Sequence, residues 1–326
     1  MKSPLVSIAF PVYNVTDYVI QSIDSVINQT YRNIEIIVID DCGTDDSMDK
    51  IYKYTQNLAN NENIRIIHHT KNEGLSAARN TGIKESTGKY IYFVDSDDQI
   101  SKDCIRNMVD YAEAEELDMV SANIVTIGGN TDYSTIHYKY TISKQDDILR
   151  SLLNNSISCS AWNKLIRLET IKENNAYFKE GIIYEDGLWL VQLLLYTKKI
   201  GFIPDSTYFY LKRENSITTA SKIEKQISSR ETIISCLYEL IISSNLDGCR
   251  LKIFQSYFTK ERFKCITRIA YHSKDISNPA ERFNNLIHND YKRCDSGVYS
   301  CYLKVPYRIY VFVFYVMRKI RKLCQK

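Results

Sequence analysis

Three carboxylates fall within four residues at Asp95, Ser96, Asp97 and Asp98, directly after the strand-forming run Tyr90 to Val94. Like charges packed this closely repel one another unless something positive sits among them. Clustered oxygen donors suit a hard cation such as Mg2+ or Mn2+, which usually completes its shell with phosphate oxygens. The plain alternative is that Asp97 or Asp98 caps the helix that follows. A second pair, Asp40-Asp41, either belongs to a turn before a helix capped by Thr44 or Asp45, or presents an ionised carboxylate to a nucleobase donor such as uracil N3–H. Tyr13 is either a stacking surface for that base or a packed aromatic. A third pair, Glu185-Asp186, opens an apolar run through Leu188, Val191, Leu194 and Leu195. These acids either sit in a first helical turn, where the dipole favours them, or supply a general base that takes a proton from a sugar hydroxyl.

Several other chemistries lack their residues. A dinucleotide fold needs a glycine-rich loop after its first strand, and "PVYN" has no glycine, so NAD is not expected. The nine cysteines form no CxxC pair and only five histidines are present, so zinc-ligand spacing is missing. A haloacid-dehalogenase phosphatase needs Thr or Val four residues after its first Asp, where this chain has Gln99. Two rivals survive on the carboxylates alone: a metal-dependent nucleotidyl- or phosphotransferase, and a non-catalytic nucleotide-sugar-binding module.

The carboxylate clusters must be positioned by regular elements. Val6 to Phe10, Ile34 to Ile39, Ile64 to Ile67, Tyr90 to Val94 and Met119 to Ile127 read as strands. Between them, helical spacing spans Val19 to Ile27, Asp45 to Leu58, Leu75 to Lys84 and Lys102 to Glu116. Such alternation predicts an α/β fold with a mostly parallel sheet flanked by helices. Ligands of such sheets sit beyond the carboxyl ends of the strands. The three polar stretches Pro11 to Asn14, Asp40-Asp41 and Asp95 to Asp98 then share one sheet edge. Gly128-Gly129-Asn130 reads as a turn, residues to about 220 give mixed signals, and 222 to 272 reads as mainly helical. The expected division is 1–220 for the catalytic domain and 221–326 for a helical C-terminal region.

With 326 residues, 44% hydrophobic and 25% charged, the chain can bury a large core, and a net charge of +3 gives no argument for nucleic acid. Unpaired cysteines without a framework fit reduced thiols in a cytoplasmic setting. Leu5 to Val12 is too short, and lacks the cleavage site, for a signal peptide.

Seven ordered segments resemble the family 2 glycosyltransferases of GT-A fold: "VSIAFPVYN", "SVINQTYRNIEIIVIDDCGTDDS", "NEGLSAARNTGI", "GKYIYFVDSDD", "SAWNKLIRLETI", "YEDGLW" and "YLKRENSIT". They extend over about residues 5 to 220. The resemblance implies an inverting transfer from a UDP-sugar to a hydroxyl of a saccharide or lipid-linked acceptor, in bacterial surface polysaccharide assembly. It places Pro11, Tyr13 and Asp41 at the uracil and ribose, and Arg79 and Ser96 near the nucleotide and diphosphate. Asp95 and Asp97 match the DxD motif that holds Mn2+ or Mg2+. Asp186 matches the general base, with Glu185 supporting it or touching the acceptor. Trp162 matches a lining residue of the sugar or acceptor pocket, and Arg213 and Ser216 a loop that closes over the diphosphate. Cys42-Gly43 stands where the family has Gly-Ser, and Asp46 where a Gly is common, so the turn after Asp41 is expected to differ locally.

The C-terminal stretch "VPYRIYVFVFYVMRKIRKLCQK" is apolar from Tyr307 to Met317, apart from Arg308, and then basic. It is too short to span a bilayer. It suits an interfacial helix on an anionic membrane, or a helix packed on protein.

Overall fold

The structure is a computed structural model and describes all residues except 1–2, 57, 59–62, 129–135, 155, 214–220, 288–290, 292–293, 298 and 325–326. The expected turn at 129–130 and Ser216 lie outside the described residues. The chain forms two compact units. The first comprises Met1–Ser151, Asn155–Gly181 and Glu185–Glu214; the second comprises Leu152–Asn154, Ile182–Tyr184 and Asn215–Lys326.

The first unit opens with β1 (Val6–Val12), α1 (Val19–Ile27), β2 (Ile34–Asp40), α2 (Ser47–Thr55), β3 (Ile64–His68), α3 (Leu75–Glu85) and β4 (Tyr90–Phe93). These strands pair in parallel in the order β3-β2-β1-β4. All seven residues of β1 are buried, as a strand covered by helices on both faces must be. Pro11 sits inside this central strand, where a missing N–H is normally costly. It is tolerated because the β1–β4 ladder ends at Ala9 opposite Phe93, before Pro11 is reached. Helix α3 lies close on β1: a Cβ at Gly82 would meet the Ala9 Cβ at 2.7 Å. Gly82→Val is therefore expected to lift the helix and cost about 1–3 kcal/mol, as overpacking does, and a thermal melt checks it.

The rest of the sheet is mixed. β5 (Gln99–Ile100), α4 (Cys104–Ala114), β6 (Met119–Ile127), β7 (Tyr140–Ile142), α5 (Gln145–Leu153), β8 (Lys164–Arg167), α6 (Leu168–Glu173), α7 (Glu185–Tyr196) and β9 (Ile200–Leu211) follow. The full order is β3-β2-β1-β4-β8-β6-β9-β5, with β7 on β9. β8 inserts antiparallel between β4 and β6, whereas β9 pairs parallel with β6. Parallel pairing thus holds for the N-terminal strands and gives way where β8 enters. The four-residue β8 is too short to announce itself by periodicity.

The second unit is helical: α8 (Ile223–Ser243), α9 (Gly248–Tyr271), α10 (Pro279–Ile287) and α11 (Tyr307–Cys324). α9 packs against α8, α10 and α11. Buried Arg262 ties α9 to α10 and to the chain beyond it, donating to the Leu286 carbonyl at 2.9 Å and pairing with Asp295. On α11, Tyr310 is buried and donates to the Tyr302 carbonyl at 2.6 Å, while Ile309, Phe312, Val313 and Met317 are exposed. No helix among the described residues is long and apolar enough to cross a membrane.

Candidate active site

The ends of β2 and β4 carry two of the carboxylate clusters, and the first turn of α7 carries the third, Glu185-Asp186. At the carboxyl end of β4 the backbone turns tightly, the Asp98 amide donating to the Asp95 carbonyl at 3.0 Å. Asp95 and Asp97 keep their side chains partly open, at 24% and 19% exposure, while Ser96 and Asp98 are buried. Asp98 does not cap a helix. Its carboxylate accepts the Tyr208 hydroxyl at 2.8 Å and the Leu211 amide at 2.8 Å, and the same hydroxyl accepts the Asp95 amide at 3.2 Å. Asp98 is therefore the clasp that holds the Asp95–Asp97 turn against β9.

Arg79 organises the centre. It rises from the first turns of α3 and its side chain is only 1% exposed. One guanidinium nitrogen donates to Asp186 Oδ1 at 2.6 Å and Glu185 Oε1 at 3.1 Å, the other to Asp95 Oδ1 at 2.9 Å. Burial works against its charge, but the carboxylates of Asp186, Asp95 and Glu185 outweigh burial and raise its pKa above the ordinary value. Asp186 and Glu185 open α7, as the first-turn reading expected. Burial pushes both carboxyls up from their usual range, with Arg79 opposing the rise. The other Asp186 oxygen accepts the Ala161 amide at 3.1 Å.

Trp162 follows directly, partly buried, with its ring stacked on Tyr208 at 4.4 Å and Tyr210 at 5.4 Å. It belongs to an aromatic ladder beside the clasp. Arg213, two residues past β9, donates from Nε to Asp97 Oδ2 at 2.5 Å and lies over the Tyr18 ring.

At the edge where the resemblance expects the nucleoside, Asp41 is turned into the protein. Asp41 is 3% exposed, and it accepts the Glu73 amide, the Gly74 amide and the His69 ring nitrogen, at 2.9, 2.9 and 2.7 Å. It shapes the loop that starts α3, because its oxygens face three donors of that loop and of β3's end. The more open acid of the pair is Asp40, bonded to His68 and to the Cys42 amide. Cys42 itself takes the left-handed conformation, φ 58°, where the family's usual residue is glycine. Tyr13 is 44% exposed just past β1, free to offer a ring face, and Pro11 is buried behind it.

The residues fit a divalent cation. Burial and the neighbouring Asp95 charge raise the Asp97 carboxyl, and burial with Asp95 and Asp97 pushes Asp98 up to about 8. Asp95 and Asp97 are the partly open oxygen pair of the turn, each also holding one arginine, Arg79 and Arg213.

The Glycosyl transferase family 2 model matches residues 7–174. The chain belongs to glycosyltransferase family 2. This glycosyltransferase is 30% identical over 265 residues to the poly(ribitol-phosphate) beta-glucosyltransferase of Bacillus spizizenii, a match covering 79% of this chain and 40% of that protein. Its fold is that of S. aureus TarS 1–349, solved in complex with UDP-GlcNAc, with a TM-score of 0.72 at 21% identity over 89% of this chain and 82% of that one. A mannosyltransferase from Pyrobaculum calidifontis, solved with GDP-Man and Mn2+, matches at a TM-score of 0.54 and 12% identity, over 95% of this chain and 86% of that one. The enzyme is thus a GT-A glycosyltransferase with C-terminal helices. Sequence reasoning missed the Asp98–Tyr208 clasp, His69 and Lys164. Only Lys164 left a trace, as a lysine closing the quoted "AWNK".

Proposed function

We propose that this enzyme moves a sugar from a UDP-sugar to a hydroxyl of a saccharide or lipid-linked acceptor, with inversion, in bacterial surface polysaccharide synthesis. The observation that carries this reading is Arg79. One buried guanidinium joins Asp95, on the donor side, to Asp186 and Glu185, on the acceptor side. Asp186 is the base for the acceptor hydroxyl, and Glu185 shares its countercharge. Arg79 orients Asp186 and opposes the rise that burial gives its carboxyl. Asp95 and Asp97 would hold Mn2+ or Mg2+, and the bound ion would supply charge neutralisation at the diphosphate. Ser96 lies buried in the same turn, and Tyr13 with the Asp40-Asp41 edge would receive the uracil and ribose. Trp162 lines the acceptor side through its aromatic ladder. Arg213 holds Asp97 and would reach the diphosphate. The UDP-GlcNAc bound to TarS and the polyol-phosphate acceptor in the Bacillus relative's name support the donor and acceptor classes. The GDP-Man and Mn2+ held by the mannosyltransferase support the metal. The catalytic domain is assigned to 1–220 and the helical region to 221–326.

The test is UDP release from a panel of UDP-sugars, with water as the acceptor, in Mn2+ and in EDTA. Release from one or two donors, lost in EDTA, is expected. UDP binding without release from any donor would favour a binding module instead. Asp97→Ala should weaken UDP binding in Mn2+ by about tenfold or more, since a carboxylate–metal contact is lost, and leave binding in EDTA unchanged. Calorimetry with UDP checks it.

We further propose peripheral membrane contact through 306–326, because Ile309, Phe312, Val313 and Met317 share exposed apolar surface on α11. Phe312→Glu with Val313→Glu should reduce co-sedimentation with anionic liposomes, while unchanged sedimentation would remove the contact.

A further inference from the structure

Lys164 is a fully buried cation that the proposed mechanism does not use. It stands at the start of β8, and its Nζ donates to the Ser160 carbonyl at 2.7 Å. The next amide along, Ala161 N–H, donates to Asp186 Oδ2 at 3.1 Å. That carbonyl and that N–H belong to one planar peptide group, and the described chain has no cis peptide. In a trans peptide the two bonds point in opposite directions. The ammonium therefore sits at one end of the peptide and the carboxylate at the other.

We infer that Lys164 is a positioning residue for Asp186, acting through the Ser160–Ala161 peptide. This inference rests on Asp186 being the base. A charged donor on the carbonyl fixes the peptide plane and polarises it, which strengthens the N–H at its far end. If the peptide turned over, its carbonyl oxygen would face the Asp186 carboxylate and repel it. Arg79 on Oδ1 and the amide on Oδ2 together set the plane of that carboxylate. Its remaining lone pairs then point in a defined direction for an acceptor hydroxyl.

The surrounding loop is built to hold this arrangement. Asn163 takes the left-handed conformation, φ 60°, which turns the chain back so that Lys164 reaches Ser160. The Asn163 side chain donates to the Ala122 carbonyl at 2.8 Å and accepts the Thr207 hydroxyl at 2.9 Å, pinning the turn to β6 and β9. Each residue of "AWNK" then has a distinct place: amide to the base, ring to the aromatic ladder, turn, and ammonium behind the peptide. Burial pushes the Lys164 ammonium down to about 8, with Cys159 and Asp186 holding it up, so it stays charged at neutral pH.

The experiment compares Lys164→Met, which keeps the bulk, with Lys164→Gln, which keeps a donor without the charge. UDP release is read from the preferred donor with Mn2+, with water as the acceptor, beside calorimetric UDP binding and a thermal melt. The expected result is a loss of about tenfold to a hundredfold in kcat for Lys164→Met, the scale of one charged hydrogen bond. UDP affinity stays within about twofold. Lys164→Gln recovers part of the loss. In an Asp186→Asn background, Lys164→Met causes no further loss, because both act on one group. Wild-type kcat in Lys164→Met overturns the inference, as does a loss that multiplies in full with that of Asp186→Asn. Loss of UDP binding and of cooperative melting in both Lys164 variants also overturns it, assigning the residue to the fold. Failure of the base reading is seen separately, as near-normal turnover in Asp186→Asn alone.

Discussion

Asp186→Asn is expected to abolish sugar transfer while sparing UDP binding. The amide keeps the shape of the carboxylate but cannot take a proton from the acceptor. General-base catalysis typically contributes about 10²- to 10⁴-fold, so turnover should fall by that order. The donor side is left in place, because Asp95 keeps Arg79 as its partner at 2.9 Å. UDP affinity with Mn2+ should therefore stay near the wild-type value. The measurement is UDP release from the preferred donor beside calorimetric UDP binding. Turnover near the wild-type level would remove Asp186 from the base role. Glu185 is then the next carboxylate to test, since it shares the same guanidinium nitrogen at 3.1 Å.

Arg79→Met should be the most damaging substitution for the fold of the first unit. The side chain is nearly inaccessible, and methionine fills similar space without charge. Asp95, Glu185 and Asp186 would be left beside one another with no shared cation. Breaking a buried ion pair from one side costs about 3–5 kcal/mol, because the remaining charges stay buried. For a unit of this size that is a fall in melting temperature of about 6–20 °C. The pH dependence has a definite sign. Burial already raises the Glu185 and Asp186 carboxyls, and removing Arg79 takes away the influence that opposes the rise. The folded variant then binds more protons than the unfolded chain, so its stability rises as pH falls through the raised range. Thermal melts of variant and wild type across pH 5 to 8 read this directly. A variant that melts at the wild-type temperature at pH 7 would show that the three carboxylates do not depend on Arg79.

The local chemistry of this protein was readable from its residues because the cues are short in range. Short apolar runs located β1, β2, β3, β4 and β6, period-3.6 patterns located the helices between them, and the rule on strand ends put Asp95 and Asp97 at an open edge. The family resemblance named Arg79, Glu185 and Asp186, but it did not show that one guanidinium binds all three carboxylates. That contact joins residues 107 positions apart. The Asp98 clasp joins residues 113 positions apart, and nothing local to "DSDD" distinguishes a buried clasp from a helix cap. Asp41 likewise reads as an open acid in sequence, yet donors at residues 69, 73 and 74 surround it once β2, β3 and α3 are assembled. β8 escaped because four residues carry too little periodicity, and its antiparallel place depends on which neighbours remain unpaired. Sequence by itself determined which residue types lie at the strand ends, since that follows from local pattern. The tertiary structure decided which charges neutralise one another, because burial and pairing are properties of the assembled neighbourhood and of no single segment.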